Sequence, residues 1–257
     1  MYKTIRLGET NISNQGCLMK IIKYNNAKDI IVEFQDKYKT KVHTSYRHFA
    51  EGNVKNPYCP SVCNVGIIGI KYPTSMNGKM MKEYKIWKAM LKRSFDGEYK
   101  KRKPTYENVT CCDEWLNYEN FYEWLHSQEN FEKWLNGNNW AIDKDILFKG
   151  NKIYSPNTCC LVPQNINQIF VKRESTRGSL PIGVSKKYKG FVSQCMNPFT
   201  NQTEYLGYFS IVEEAFQVYK QYKEYLIKKV AQIEYDNGNI TEECYSAMMK
   251  YQVEITD

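Results

Sequence analysis

The sequence predicts an α+β protein built from several small domains, and three observations predict it. The first 70 residues alternate apolar and polar side chains in short runs with period two. From Lys79 onward the period becomes helical. Strand-like runs then return at 146–155 and at 181–209, each followed by a helical stretch. The expected divisions are an N-terminal β module at 1–72, a helical and strand-strand-helix domain at 73–175, a sheet-and-helix domain at 176–230, and an acidic helix at 231–257.

In the N-terminal module the runs LMKIIKY (18–24), DIIVEF (29–34), KTKVHTSY (39–46) and VGIIGIKY (65–72) are separated by turn formers, which suits a small antiparallel barrel or sheet. Pro73 to Gly78 reads as a linker. Beyond it Met80, Tyr84, Trp87, Leu91 and Phe95 fall on one arc of a helix, with Lys82, Lys85, Lys88, Lys92 and Arg93 on the adjoining arc. Lys101, Arg102 and Lys103 extend the basic stretch. An acidic helical region follows, and its Trp115, Phe121, Trp124, Leu125, Phe131 and Trp134 are too dense to be exposed, so they form core.

The formal charge of +8 is unevenly spread. Residues 71–110 hold eleven Lys and Arg against four Asp and Glu, while 111–135 and 231–257 each hold one against six. A basic middle of this kind suits an anionic partner such as nucleic acid. No run of apolar residues is long enough for a membrane span, and the N-terminus lacks the apolar centre of a secretory signal, so a cytoplasmic protein without a membrane partner is expected. Nine cysteines, two pairs of them adjacent in sequence, suit reduced thiols better than a disulfide framework. The one spaced pair, Cys59 and Cys63, gives little reason to expect zinc.

The run ILFKGNKIYS suggests a hairpin turned at Lys149-Gly150-Asn151, and PQNINQIF a short helix after it. Asp143-Lys144 precedes this unit, Asn157 lies 13 residues after Lys144, and Asn165 lies 8 further on. With the basic helix and the aromatic acidic segment before it, the stretch 80–170 resembles phage-encoded proteins of the HNH homing-endonuclease type. That resemblance implies a metal site of magnesium or manganese held by Asp143 and Asn165, with Asn157 fixing its geometry and Lys144 standing where the family has its histidine base. A lysine ammonium carries its proton at neutral pH and cannot accept another, and Asp143 and Asp145 stabilise that form. The implied site is therefore expected to be weak or inactive.

Residues 181–225 suggest three short strands and an amphipathic helix, with Ser210 and Glu213 forming a capping box and Val212, Ala215, Phe216, Tyr219 and Tyr222 covering the sheet. Through Gly183-Val184, Phe191-Val192, Leu206-Gly207-Tyr208-Phe209 and Glu213-Glu214-Ala215, the segment resembles the Apetala-two, or ethylene-response-factor, DNA-binding domain. That resemblance implies a sheet in the major groove whose outward set is Ser185, Lys187, Tyr188, Gln194, Met196, Thr203 and Tyr205. Lys186, Lys187 and Lys189 then hold phosphates, and Gln194 suits adenine. Several arginines usual in the plant members are missing.

The reading is thus a DNA-binding protein of phage or mobile-element type, acting on double-stranded DNA in a bacterial cytoplasm, with no cofactor that binding itself requires. One alternative is a metal-dependent nickase on the same scaffold. Another is a factor that engages a host protein through its acidic helices.

Overall fold

The computed structural model describes residues 6–171 and 178–257. The chain is an α+β protein that divides into two compact units, residues 1–107 with 113–122, and residues 108–112 with 123–257. These units cut across the divisions expected from the sequence: the β module and the basic helix share the first, and the stretches expected as separate domains after residue 123 share the second.

In the first unit β1 (Thr10–Ile12), β2 (Leu18–Asn26), β3 (Asp29–Phe34) and β4 (Lys41–Thr44) form an antiparallel meander in chain order. Alternation along β2 and β3 sends Met19, Ile21, Ile30, Val32 and Phe34 into one core, closed by Phe49 of α1 (Tyr46–Ala50) and by Val54. Ser45 caps α1 by accepting from the His48 amide at 3.3 Å.

The expected fourth strand at 65–72 does not form. Its backbone makes only isolated bridges, Val62 with Gly66 and Ile67 with Asn117. The reason is close packing: a Cβ on Gly66 would meet Leu91 and Trp87 side chains at 2.5 and 2.9 Å, so this backbone lies against a helix instead of pairing in a sheet. The expected linker at 73–78 is likewise structured. β5 (Ser75–Met76) and β6 (Lys79–Met80) make a hairpin turned at Asn77-Gly78, whose φ values of 50° and 73° are those a tight two-residue turn requires.

The basic helix α2 therefore begins at Lys82 and runs to Phe95, followed by α3 (Gly97–Arg102). Met80 stays outside it and is exposed; Trp87 and Leu91 are buried as expected, together with Glu83, Met90 and Ser94. Trp87 donates its ring N–H to the Trp115 carbonyl at 2.7 Å.

The helix α4 (Tyr118–His126) runs across the division, and α5 (Phe131–Asn136) follows it. Trp115, Phe121, Leu125, Phe131 and Trp134 are buried as the sequence predicts, and Trp124 is half-buried.

In the second unit β7 (Thr110–Cys111) pairs in parallel with β9 (Ile153–Tyr154), while β8 (Trp140–Asp143) pairs antiparallel with β10 (Cys160–Pro163). The expected hairpin at 149–151 is thus replaced by two non-local pairings. Helix α6 (Gln164–Ile169) follows β10 directly, completing a strand-strand-helix order through β8, β10 and α6.

β11 (Val184–Lys187), β12 (Gly190–Asn197) and β13 (Gln202–Phe209) form an antiparallel sheet in chain order. Helix α7 (Val212–Asp236) packs on all three strands, and α8 (Glu242–Met249) packs on α7. Ser210 does not cap α7: Ile211 occupies that position with no side-chain hydrogen bond.

The expected division at 230 falls inside α7, because the apolar series Leu226, Ile227, Val230 and Ala231 continues through it. One core joins Ile146, Cys160, Val162 and Ile166 to Val184, Cys195, Phe216 and Tyr219, and to Leu226, Cys244 and Met248. The strand-strand-helix element and the three-stranded sheet are therefore parts of one folded body. Among the described residues no helix is long and apolar enough to cross a membrane.

Candidate nucleic-acid interface

The three-stranded sheet has one covered face and one open face. Val184, Phe191, Cys195, Leu206 and Phe209 join the core on the α7 side. Glu204 also lies on that side, where its carboxylate accepts from the Tyr222 hydroxyl of α7 and from the Asn197 amide. Cross-strand pairing then fixes the other face: Ser185 opposite Val192, Gln194 opposite Tyr205, and Met196 opposite Thr203.

Lys186, Lys187, Lys189, Gln194 and Thr203 are exposed, as are Tyr188, Met196 and Tyr205; Ser185 is half-buried. Tyr188 sits in the turn between β11 and β12 with φ 54°, 85% exposed, with the Lys187 ammonium 5.8 Å from its ring centroid. The seven residues expected on the outward face thus stand on it or at its rim.

Sequence reading omitted Tyr208. Strict alternation from Tyr205 would turn it inward, but a register shift between Ser193 and Gln194, with Gly207 at φ +147°, brings it to the open face, where it is 48% exposed. The signal was a glycine inside a strand pattern.

On α2 the side chains of Lys85, Lys88 and Lys92 are exposed along one stripe, at spacings of three and four residues. Lys82 and Arg93 are half-buried at its border. The Lys92 ammonium lies 5.8 Å from the Tyr99 ring and the Arg93 guanidinium 5.9 Å from Tyr106. On α3 Lys101 pairs with Glu98 at 2.8 Å and Arg102 donates to the Glu98 carbonyl at 3.3 Å, while Lys103 is exposed.

The residues of the strand-strand-helix element are engaged elsewhere. Asp143 ends β8 opposite Cys160 and is buried. Its Oδ1 accepts from the Asp145 and Ile146 amides at 2.8 and 2.9 Å, which closes the turn after the strand. Burial, with Asp145 beside it, pushes the Asp143 carboxyl up to about 6. The Lys144 side chain is only 12% exposed, with its ammonium 3.6 Å from an Asp145 oxygen and 6.0 Å from the Tyr154 ring centroid.

Asn157 is exposed in a turn. Asn165, in the first turn of α6, donates its side-chain amide to Glu234 of α7 at 2.7 Å, and its Oδ1 accepts from the Ile166 amide. No hydrogen bond among the described residues joins Asp143, Asn157 and Asn165.

A divalent ion needs several hard oxygen donors converging on one point. Here one carboxylate oxygen serves two backbone amides, the Asn165 oxygen serves another, and no group of three or more His, Cys, Asp or Glu side chains converges among the described residues. These residues do not fit a magnesium or manganese site in this arrangement. Cys59 and Cys63 are half-buried free thiols. Neither family profiles nor curated proteins nor solved structures give a match to this chain.

Proposed function

We propose that this protein binds double-stranded DNA and does not cut it. The observation that carries the reading is the open face of the β11-β12-β13 sheet. It carries Lys187, Tyr188, Gln194, Met196, Thr203 and Tyr205, and the chain from Gly178 to Thr203 contains three lysines and no Asp or Glu. Such a face attracts phosphate without repelling it, and offers Gln194 for base edges. The Lys85, Lys88 and Lys92 stripe of α2 supplies a second set of phosphate contacts independent of sequence.

The finer reading is an Apetala-two-like sheet reader joined to an HNH-like strand-strand-helix element, in a protein of phage or mobile-element type working in a bacterial cytoplasm. Cleavage is not part of it, because Lys144 replaces the base and Asn165 is tied to Glu234. Incubation of the full chain with end-labelled duplex, with and without magnesium or manganese, tests this: retained intact DNA is expected. Cut DNA would favour the nickase reading, and absence of binding would overturn the proposal and favour a protein partner.

A further inference from the structure

Tyr205 and Tyr208 lie on the same face of β13 although they are three residues apart. Glu204 turns toward Tyr222 of α7, and Leu206 and Phe209 turn into the core, so the two tyrosines turn away from both. Room for Tyr208 comes from a bare backbone beneath it: a Cβ on Gly190 would lie 2.6 Å from its Cζ. With Tyr188 at the adjoining turn, the open face presents three tyrosines that are 85%, 67% and 48% exposed, bordered by Lys187 and Lys189.

Aromatic side chains gathered on one open face offer flat surface to a partner. The lysines and the lack of acidic residues from Gly178 to Thr203 suit an anionic occupant. The rings require it to offer flat faces. Bases within a duplex stack on one another and present only their edges in the grooves, whereas bases of a single strand have faces to give.

We infer that the open sheet face of this protein takes the unpaired bases of single-stranded DNA, stacking them on Tyr205, Tyr208 and Tyr188 while the lysines of the β11-β12 turn follow the phosphates. The inference rests on the reading of this face as a DNA surface and names the form of DNA it holds. Duplex DNA, whose bases offer no free faces, is then held through its phosphates alone, by these lysines and by those of α2.

The test is fluorescence anisotropy of the full chain with three labelled probes of one sequence: a DNA strand free of self-complementarity, its duplex, and the corresponding RNA strand. The double substitution Tyr205→Ala with Tyr208→Ala is expected to weaken single-strand DNA binding by at least about tenfold and duplex binding by no more than about twofold. Phe at both positions keeps the rings and is expected to restore single-strand binding.

Unchanged single-strand binding by the alanine variant would overturn the inference, as would duplex binding with no measurable single-strand binding. Tighter binding of the RNA strand than of the DNA strand would overturn the assignment to DNA. Failure of all three probes to bind would instead overturn the DNA reading of the protein itself.

Discussion

Asn165 on α6 is hydrogen-bonded to Glu234 on α7, Nδ2 to Oε1 at 2.7 Å, across 69 residues of chain. Glu234 also accepts from the Asn239 side chain at 2.7 Å, so the asparagine is held in a small polar network at the end of α7. Sequence spacing alone would have made Asn165 a metal ligand. Its observed partner makes it a tie between two helices of one folded body.

That tie changes what a repaired motif should do. Lys144→His restores the base type, but Asn165 remains bound to Glu234 and the Asp143 oxygen remains committed to two amides. Neither the unmodified protein nor Lys144→His is expected to nick supercoiled plasmid in magnesium or manganese. Nicking by either one, lost on Asp143→Ala, would show that a metal centre assembles in solution.

Asp143 predicts a pH effect on stability. Its folded pKa of about 6 stands above the unfolded value of 3.8, so the folded chain keeps a proton that the unfolded chain releases between those values. Stability from this group is present below the unfolded value and is lost as pH rises through about 6, by up to about 3 kcal/mol. Asp143→Asn keeps an oxygen for the Asp145 and Ile146 amides without the buried charge. In urea titrations it should be more stable than the unmodified protein at about pH 7.5 and equal to it near pH 4. Curves that stay parallel across that range would contradict this.

Gly183, at φ +77°, has no room for a side chain: a Cβ would lie 1.9 Å from a ring carbon of Tyr219. Gly183→Ala combines left-handed strain with displacement of a core tyrosine and should destabilise by at least about 3 kcal/mol. Thermal unfolding measures it. An unchanged midpoint would mean that Tyr219 is free to move away from Gly183.

The thiols divide by burial. Cys111, Cys159, Cys160, Cys195 and Cys244 are buried, burial pushes the Cys159 thiol up to about 12, and Cys160 lies 3.9 Å from Cys244, sulfur to sulfur. A thiol-reactive chromogen should label these five only after denaturant is added, whereas Cys17, Cys59, Cys63 and Cys112 are half-buried and should react first. Rapid labelling of all nine in the native protein would contradict the shared core.

What was legible in the sequence was local. The three strands and helix from Val184 onward follow from period two giving way to the helical period, and Ala215, Phe216 and Tyr219 fall on the covered side as read. The buried aromatic residues of 111–135 were legible from their density alone. What escaped was non-local. VGIIGIKY has a strand's composition, but Gly66 packs against Leu91 and Trp87, and Ile67 bridges to Asn117. Ile153 and Tyr154 pair with Thr110 and Cys111 instead of with a neighbouring hairpin strand. The change to acidic composition near 231 marked no boundary, because charge lies on the exposed side of α7 while its buried series continues.

The α2 stripe should act on phosphate alone. Charge reversal of Lys85, Lys88 and Lys92 should weaken binding to all duplex sequences alike, and the unmodified protein should lose affinity with salt at a log-log slope of roughly −5 to −7. Salt-independent binding would reject phosphate contacts as the main source of affinity.

Whether DNA is held on the open sheet face is tested most directly by the duplex affinity of the full chain bearing Lys187→Glu and Lys189→Glu together. Both side chains are exposed, so the fold should survive, which far-ultraviolet circular dichroism would check. A loss of at least about tenfold in affinity is expected, with a salt slope shallower by about 2. A folded variant that binds duplex as tightly as the unmodified protein, with the same slope, would contradict it.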